Sequence, residues 1–351
     1  MKRKQDNSAR YFCEVEVTEG LEHITKGELT GLFGAAVALV PADRPGEVRF
    51  TLTGSLGELR RLQTIYAAYV VCDYAVPRPR ALLGDAHFRR LLEQIESVRA
   101  LNPNSYRSFS VAAAGSDSSV MARIKAQIAA QTRLALADDR GDLLIRIRPS
   151  NAGWQTLVRV SARPQVTRSW RVCNWEGALN SATGHALIRL GKHRPNDVYL
   201  NIGCGSATLL IERLRHGKAG RVIGVDIDNN ALQCAQANVT AAGEPAIQLL
   251  LGDMTSLPLL TNSVDHVVAD LPFGQLSGSH TANVEMYPRA LNEAARVTRA
   301  NGQFTLITHE MRLLDRLLRE SPYWTNEQSI QINLRGLHPR IYVLRRTLTS
   351  F

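Results

Sequence analysis

Four short segments carry residues whose types and spacing could do chemistry, and each sits where an apolar run gives way to a turn. The first is Val198–Thr208 (VYLNIGCGSAT), in which Gly203 and Gly205 would let backbone approach a ligand where a Cβ would collide. Asn201, Ser206 and Thr208 offer polar contacts around the same turn. The pattern is not the dinucleotide G-x-G-x-x-G, because Thr208 stands where that motif has its third glycine. The second segment, Val222–Asp228 (VIGVDID), ends in acids roughly 20 residues beyond the glycines. The third is Leu251–Met254 (LGDM), and the fourth is Val267–Gly274 (VVADLPFG).

Taken singly, each has a bland reading: a tight turn, a helix-capping acid, a turn acid beside a core methionine, a proline turn with a core phenylalanine. In series they describe one pocket. A carboxylate at the end of the second strand accepts hydrogen bonds from ribose hydroxyls, which assigns Asp226, with Ile227 beside it. Asp228 is assigned to capping the helix that follows. Asp253 can accept from an adenine amino group, and Met254 can flank the adenine face. The fourth segment suits an exocyclic amine whose nitrogen lone pair must be aimed at a sulfonium methyl. The Asp270 carboxylate and Leu271 carbonyl would accept from that amine. Pro272 fixes φ and brings no competing N–H, and Phe273 can stack on an extruded base. S-adenosylmethionine is the expected cofactor and S-adenosylhomocysteine the product.

These residues need a frame, and the chain beyond Trp175 supplies one in regular alternation. Helices are predicted over Ala178–Leu190, Ala207–Arg215, Asn230–Ala241 and Glu285–Arg299, with strands over Asp197–Ile202, Arg221–Asp226, Val264–Asp270 and Gln303–Thr308. A further strand ends at Leu251, and a closing hairpin (SIQINLRG, then RIYVLRR) adds an antiparallel strand. Alternating β and α predicts a doubly wound, mostly parallel α/β sheet. Before Trp175 the order is strand (Tyr11–Val17), helix (Leu21–Phe33), strands (Ala35–Val40 and Glu47–Leu52) and helix (Leu56–Val71), as in an α+β ferredoxin-like unit. A second unit follows with a helix at Ala86–Arg99, a strand at Ser108–Ala113, a long helix at Ser118–Ala137, and strands at Asp142–Arg148 and Gln155–Val160. Domain boundaries are placed at 1–76, 77–171 and 172–351.

The chain of 351 residues has a net charge of +10, which suits a polyanionic partner without proving one. Its distribution says more: the stretch Leu143–Trp175 has six arginines (Arg146, Arg148, Arg159, Arg163, Arg168 and Arg171) and no acid. They are assigned to phosphate contacts in RNA, Arg146 and Arg148 on one strand face. The five cysteines are scattered without a Cys-x-x-Cys pair, which argues against a zinc site or disulfide framework and suits a reducing cytoplasm. No metal is expected. No apolar run is long enough to span a membrane, and the charged start leads into no apolar leader. Trp170 and Trp175 are read as linker anchors, Trp324 as packing, and His185, His193 and His309 as structural or surface residues.

On these residues the C-terminal half resembles class I methyltransferases, and the whole chain resembles the THUMP-containing RNA guanine-N2 methyltransferases. Asp270–Gly274 (DLPFG) is similar to the catalytic motif of that family's eukaryotic tRNA enzymes, and Ala178–His185 (ALNSATGH) to the helix before its cofactor loop. The THUMP-like stretch would run from about Ala81 to Arg171. The family usually writes its first motif Asp-Pro-x-Cys-Gly-Ser-Gly-Thr, so Asn201 replaces an acid and Ala207 a glycine that keeps the loop uncrowded. The resemblance implies a cytoplasmic, monomeric tRNA methyltransferase that makes N2-methylguanosine. Ribosomal RNA as substrate, and a catalytically silent RNA-binding protein, stand as alternatives. Open too are the nucleotide modified and the need for a small activating subunit.

Overall fold

The computed structural model describes residues 9–271 and 280–349. The chain divides into two units: one takes residues up to Val17 together with Thr25–Val166, the other Thr18–Ile24 and the chain from Thr167 onward. Among the described residues, no helix is long and apolar enough to cross a membrane.

In the first unit the elements are β1 (Arg10–Glu16), α1 (Glu22–Phe33), β2 (Val37–Val40), β3 (Glu47–Thr53), β4 (Ala67–Tyr74), α2 (Asp85–Arg99), β5 (Ser108–Ala113), α3 (Ser119–Thr132), β6 (Ala135–Leu136), β7 (Leu143–Ser150) and β8 (Gly153–Arg159). All eight strands join one sheet in the order β2-β3-β1-β4-β8-β7-β5-β6. The sequence divides this half at residues 76 and 77, whereas the β4–β8 pairing carries a single sheet across that point. Two elements differ from expectation. The predicted helix Leu56–Val71 is a short 3-10 turn (Leu56–Arg61) followed by β4. Tyr69, Val70 and Val71 are strand-favouring residues, and β4 gains ladder partners on both edges, so pairing overrides the helical spacing. The long helix predicted to Ala137 stops at Thr132, where Arg133 takes a left-handed φ of 58° and the chain turns into β6.

The strand alternation of β1 sends Cys13 and Val15 into the apolar core and Glu14 and Glu16 to the other face. Glu14 is fully buried there, held by Arg49 Nε at 2.8 Å and Arg148 Nη2 at 2.7 Å. Arg148 also donates to Glu47 at 2.6 Å and to Gln155 at 2.6 Å, and Arg146 pairs with Glu16 while lying 4.7 Å from the Tyr69 ring centre. Burial pushes the Glu14 carboxyl above the ordinary carboxylate range, against the pull of the two guanidiniums.

The second unit holds α4 (Ser181–Arg189), β9 (Val198–Ile202), α5 (Thr208–His216), β10 (Arg221–Asp226), α6 (Asn229–Ala242), β11 (Ile247–Leu251), β12 (Val264–Asp270), α7 (His280–Val297), β13 (Thr298–Thr308), α8 (Met311–Glu320), β14 (Trp324–Gln331) and β15 (Arg340–Arg346). The sheet order is β11-β10-β9-β12-β13-β15-β14, with the first five strands parallel and the last two forming the expected antiparallel hairpin. Alternation along each strand fills two cores. Leu200, Ile202, Val267 and Ala269 pack with Tyr287, Leu291 and Ala294 of α7, whereas Tyr199 and Val268 pack with residues of α4, α5 and α6.

A buried carboxylate with two guanidiniums is weak evidence of net stability, but removing it leaves Arg49 with Asp43 and Arg148 with Glu47 and takes away the buried charge that both share. We expect Glu14→Leu to destabilise the protein by about 3 kcal/mol, measured by urea unfolding. A change under about 1 kcal/mol would show that the arginines find equivalent partners without it.

Candidate active site

The sheet order reverses direction between β9 and β12: β10 and β11 lie on one side of β9, and β12 and β13 on the other. At such a switch point the loops leaving the carboxyl ends part and open a crevice. Strand register puts the sequence candidates along that edge. Ile202 lies opposite Val225, so Gly203 follows beside Asp226. Asp226 lies opposite Leu251, two residues before Asp253. Val268 lies opposite Asn201, so Asp270 ends β12 across from Gly203. Gly203, Asp226, Asp253 and Asp270 thus end four neighbouring parallel strands.

The turn after β9 needs its glycines: Gly203 and Gly205 have φ of 65° and 49°. A Cβ on Gly203 would stand 3.2 Å from Met254 Cε, and one on Gly205 3.6 Å from Trp175 Cδ1. Met254 and Trp175 therefore flank the loop, a position that the sequence did not foresee for Trp175. Asp226 draws the loop in by accepting the Gly205 N–H at Oδ2 (2.7 Å) and the Asp228 N–H at Oδ1 (3.0 Å). Each oxygen keeps a second lone pair. Asp228 caps α6 through the Asn230 N–H, as expected. Ile227 is 72% exposed, an apolar side chain left in solvent beside the acid. Asp253 is exposed, and its Oδ1 closes an Asx turn on the Thr255 N–H at 2.8 Å.

Asn201 takes part in a structural brace. It is 1% exposed, and its Nδ2 donates to the carbonyls of Val268 (3.1 Å) and Ile202 (3.3 Å), bracing the ends of β9 and β12. An ionised aspartate could not donate these bonds. Ala207 does not crowd the loop either: it takes the left-handed φ of 63° itself, and its side chain is wholly buried among apolar residues. Ser206 and Thr208 are buried, their hydroxyl oxygens 3.2 Å apart.

Asp270 is the electrostatic outlier. Its Oδ1 is shut off from solvent with no hydrogen-bond partner among the described residues, and desolvation pushes the carboxyl up to about 7. The Leu271 N–H is tied to the Ile307 carbonyl at 3.1 Å, and the Leu271 side chain is buried. Pro272 and Phe273 lie outside the described residues. A polar group that the sequence did not single out comes from β13, α7 and the turn after β13. Tyr287 Oη and Thr308 Oγ1 are 2.7 Å apart, and Glu310 accepts from Asn283 at 3.2 Å and meets His280 Nδ1 at 2.9 Å. The Asp270 charge reaches Tyr287, and burial raises that phenol above its ordinary range.

Five of the six clustered arginines already have partners within the chain. Arg146 and Arg148 do share a strand face, but their charges meet Glu14, Glu16 and Glu47. Arg159 is buried, donating to the carbonyls of Ser161 and Ala162. Arg168 pairs with the fully buried Glu212 at 2.8 Å, beside His185 at 2.8 Å from the same carboxylate. Arg171 donates to the Leu179 carbonyl and to Thr208 Oγ1, both at 2.9 Å. The acids are remote in sequence, which is why an acid-free stretch gave no sign of them. Of the six, Arg163 is exposed and keeps the assigned role open. The cysteine reading also changes, since Cys173 and Cys234, 61 residues apart, form a disulfide. One turn further along α6, the fully buried Asn238 accepts the N–H groups of Val172 and Cys173 and donates to the carbonyls of Cys173 and Ser206. Trp170 and Trp324 are core residues, as expected.

Comparison with known proteins fits this geometry. Residues 168–340 match the family described as UPF0020: RMKL-like, methyltransferase domain. The tRNA (guanine(6)-N(2))-methyltransferase THUMP3 of Bos taurus is 30% identical over 188 residues, 49% of this chain and 37% of that protein. The tRNA (guanine(6)-N2)-methyltransferase of Thermus thermophilus is 27% identical over 205 residues, 58% of this chain and 60% of that one. The matched stretches thus span less than two thirds of these relatives' length. Among solved structures, TrmN from Thermus thermophilus superposes with a TM-score of 0.80 at 21% identity, covering 96% of this chain and 100% of that one. That likeness carries the fold, an α/β class I methyltransferase architecture.

The bracing role of Asn201 is testable without a ligand. Asn201→Asp should lower stability by about 2 kcal/mol near neutral pH, because a carboxylate would face two carbonyls. Thermal unfolding of both proteins checks this, and an unchanged midpoint would remove the brace.

Proposed function

We propose that this chain is an S-adenosylmethionine-dependent methyltransferase acting on the exocyclic 2-amino group of a guanosine in tRNA. The observation that carries the reading is the alignment of Gly203, Asp226, Asp253 and Asp270 on four adjacent strand ends, with a carboxylate oxygen at Asp270 that has no partner among the described residues. The relatives named for guanine-N2 methylation of tRNA support it.

The crevice fits an adenosyl group by its own features. Asp226 retains lone pairs for two vicinal hydroxyls, and exposed Ile227 and the Met254 side chain offer apolar flanks for a planar base. The Gly203 turn leaves room that a side chain would fill. Asp253 would accept from the adenine amine. When bound, S-adenosylmethionine supplies a methyl carbon already activated by its sulfonium. The protein's task is then alignment. Asp270 and the Leu271 carbonyl would accept hydrogen bonds from the guanine amine and aim its lone pair, and ionised Asp270 would take the proton released. Pro272 and Phe273 are assigned to shaping this end of the pocket and stacking on the base. The polar group of Asn283, Tyr287, Thr308 and Glu310 is suited to hold the rest of the base edge.

The amine of a paired guanine faces the minor groove, so the nucleotide must leave the helix to enter the pocket. The ferredoxin-like (1–76) and THUMP-like (77–171) stretches are assigned to holding the RNA. Arg163 is the one arginine of the cluster suited to phosphate contact, and the remaining positive charge of the chain supplies the field. We assign the protein to the cytoplasm as a monomer, with a small activating subunit as a candidate partner.

Tandem mass spectrometry of nucleosides tests the substrate: N2-methylguanosine at one tRNA position should vanish in a strain lacking this gene. Loss of an rRNA methylation with an unchanged tRNA profile would reject tRNA. Asp270→Ala should reduce kcat at least about 100-fold while RNA affinity stays within about threefold. For the wild type the sign of the pH effect is fixed by the raised carboxyl, since the accepting form exists only above its pKa. kcat/KM should therefore rise from about pH 6 to pH 8. A flat profile would take Asp270 out of the proton's path.

A further inference from the structure

At the opposite end of the same two central strands, three metal-ligating side chains converge from separate elements. His193 and Asp197 lie in the loop between α4 and β9, and His266 lies on β12 opposite Tyr199 of β9. One donor atom from each lies within 4.8 Å of the other two. From Tyr199 to Gly203 is four residues, so this cluster sits roughly 13 Å along the strands from the catalytic edge.

The hydrogen bonds set the chemistry of each donor. His193 Nε2 is 2.6 Å from the Ile188 carbonyl, and a carbonyl can only accept, so Nε2 carries the hydrogen. Nδ1 must then hold a lone pair, yet it is buried with no hydrogen-bond partner among the described residues. An imidazole whose outer N–H is fixed by a backbone carbonyl is the arrangement that orients a metal ligand. His266 Nε2 faces Asp197 Oδ2 at 3.1 Å, close to the separation of about 3.3 Å between two ligands of a tetrahedral zinc ion. Asp197 Oδ2 also accepts the Arg194 N–H at 2.6 Å, which orients the carboxylate. The ring of His193 is seated over Gly191, where a Cβ would come within 2.5 Å of Nε2.

We propose that His193, Asp197 and His266 form a divalent metal site, with zinc as the matching ion and water in the fourth position. Two imidazole nitrogens and one carboxylate oxygen suit zinc better than magnesium or calcium, which require oxygen-rich sets. The ion would fasten the α4–β9 loop to β12 beneath the sheet. One neighbour opposes it: Arg213, 1% exposed, which acts on both imidazoles. Its guanidinium donates to the carbonyls of Arg194, Gly217 and Lys218, which offset part of that charge. Micromolar rather than picomolar affinity follows from this opposition. His216, whose ring centre is 5.6 Å from that of His193, lies next in line.

The test uses full-length, tag-free protein stripped with a chelator and titrated with Zn2+ against a chromophoric competitor. One saturable site per chain in the micromolar range is expected, together with a rise in Tm. His193→Ala and His266→Gln should each weaken binding at least about 10-fold and abolish the Tm rise. Co2+ should give the visible absorption of a tetrahedral nitrogen–oxygen site, without the thiolate charge-transfer band that a cysteine site such as Cys204 would add. No saturable binding by the wild-type protein would overturn the proposal, as would binding unchanged in both variants or a Co2+ spectrum carrying the thiolate band.

Discussion

Parallel strands in register end together, and that constraint governs this protein. Because β11, β10, β9 and β12 are neighbours, residues far apart in sequence come to one edge. The spacing of parallel strands, about 4.8 Å, is what converts sequence order into a row of side chains. The crossing from β10 and β11 to β12 on the other flank of β9 then opens the row into a crevice. Asn201 secures the opening by linking the ends of the two strands that flank it. A motif departure that resembled damage to a cofactor loop is, in the folded chain, a structural brace.

The loop itself is held from behind. Asp226 fixes the Gly205 amide, and Asn238 fixes the Ser206 carbonyl together with the Val172–Cys173 backbone. The Cys173–Cys234 disulfide fastens the same segment to the same helix. Arg171 reaches Thr208, and Arg168 reaches Glu212 on α5. Residues 167–180 therefore belong to the second unit, and the charges of Arg168 and Arg171 support the loop's helix instead of facing solvent. Positioning of this kind leaves a site preorganised, which suits the proposed methyl transfer, whose electrophile needs alignment more than acid or base.

Charge is handled differently at the two ends of the sheet. At the carboxyl edge, Asp270 has an oxygen buried without a partner among the described residues, a costly arrangement that persists where a group is kept ready for a ligand. At the amino edge, Asp197 and His266 are already paired, and His193 has a lone pair unmatched among the described residues. In the first unit, by contrast, Glu14, Glu16 and Glu47 each meet an arginine, as expected where a network stabilises rather than reacts.

The sequence by itself determined the periodicities, and with them the alternating α/β order, the antiparallel last hairpin and the row of Gly203, Asp226, Asp253 and Asp270. Those follow from local rules, since apolar spacing and strand-end acids are written in consecutive residues. It misjudged β4, where helical spacing coincided with a strand that two neighbours fix. It could not see that Glu14, Glu47 and Glu212 neutralise arginines up to 134 residues away, nor the 61-residue link between Cys173 and Cys234. Nor did it show His193, Asp197 and His266 as a cluster, because their ligand atoms come from a loop and a strand that only the sheet brings together. Partners of a charged or ligating side chain are chosen by tertiary proximity, and that is the information the linear pattern does not hold.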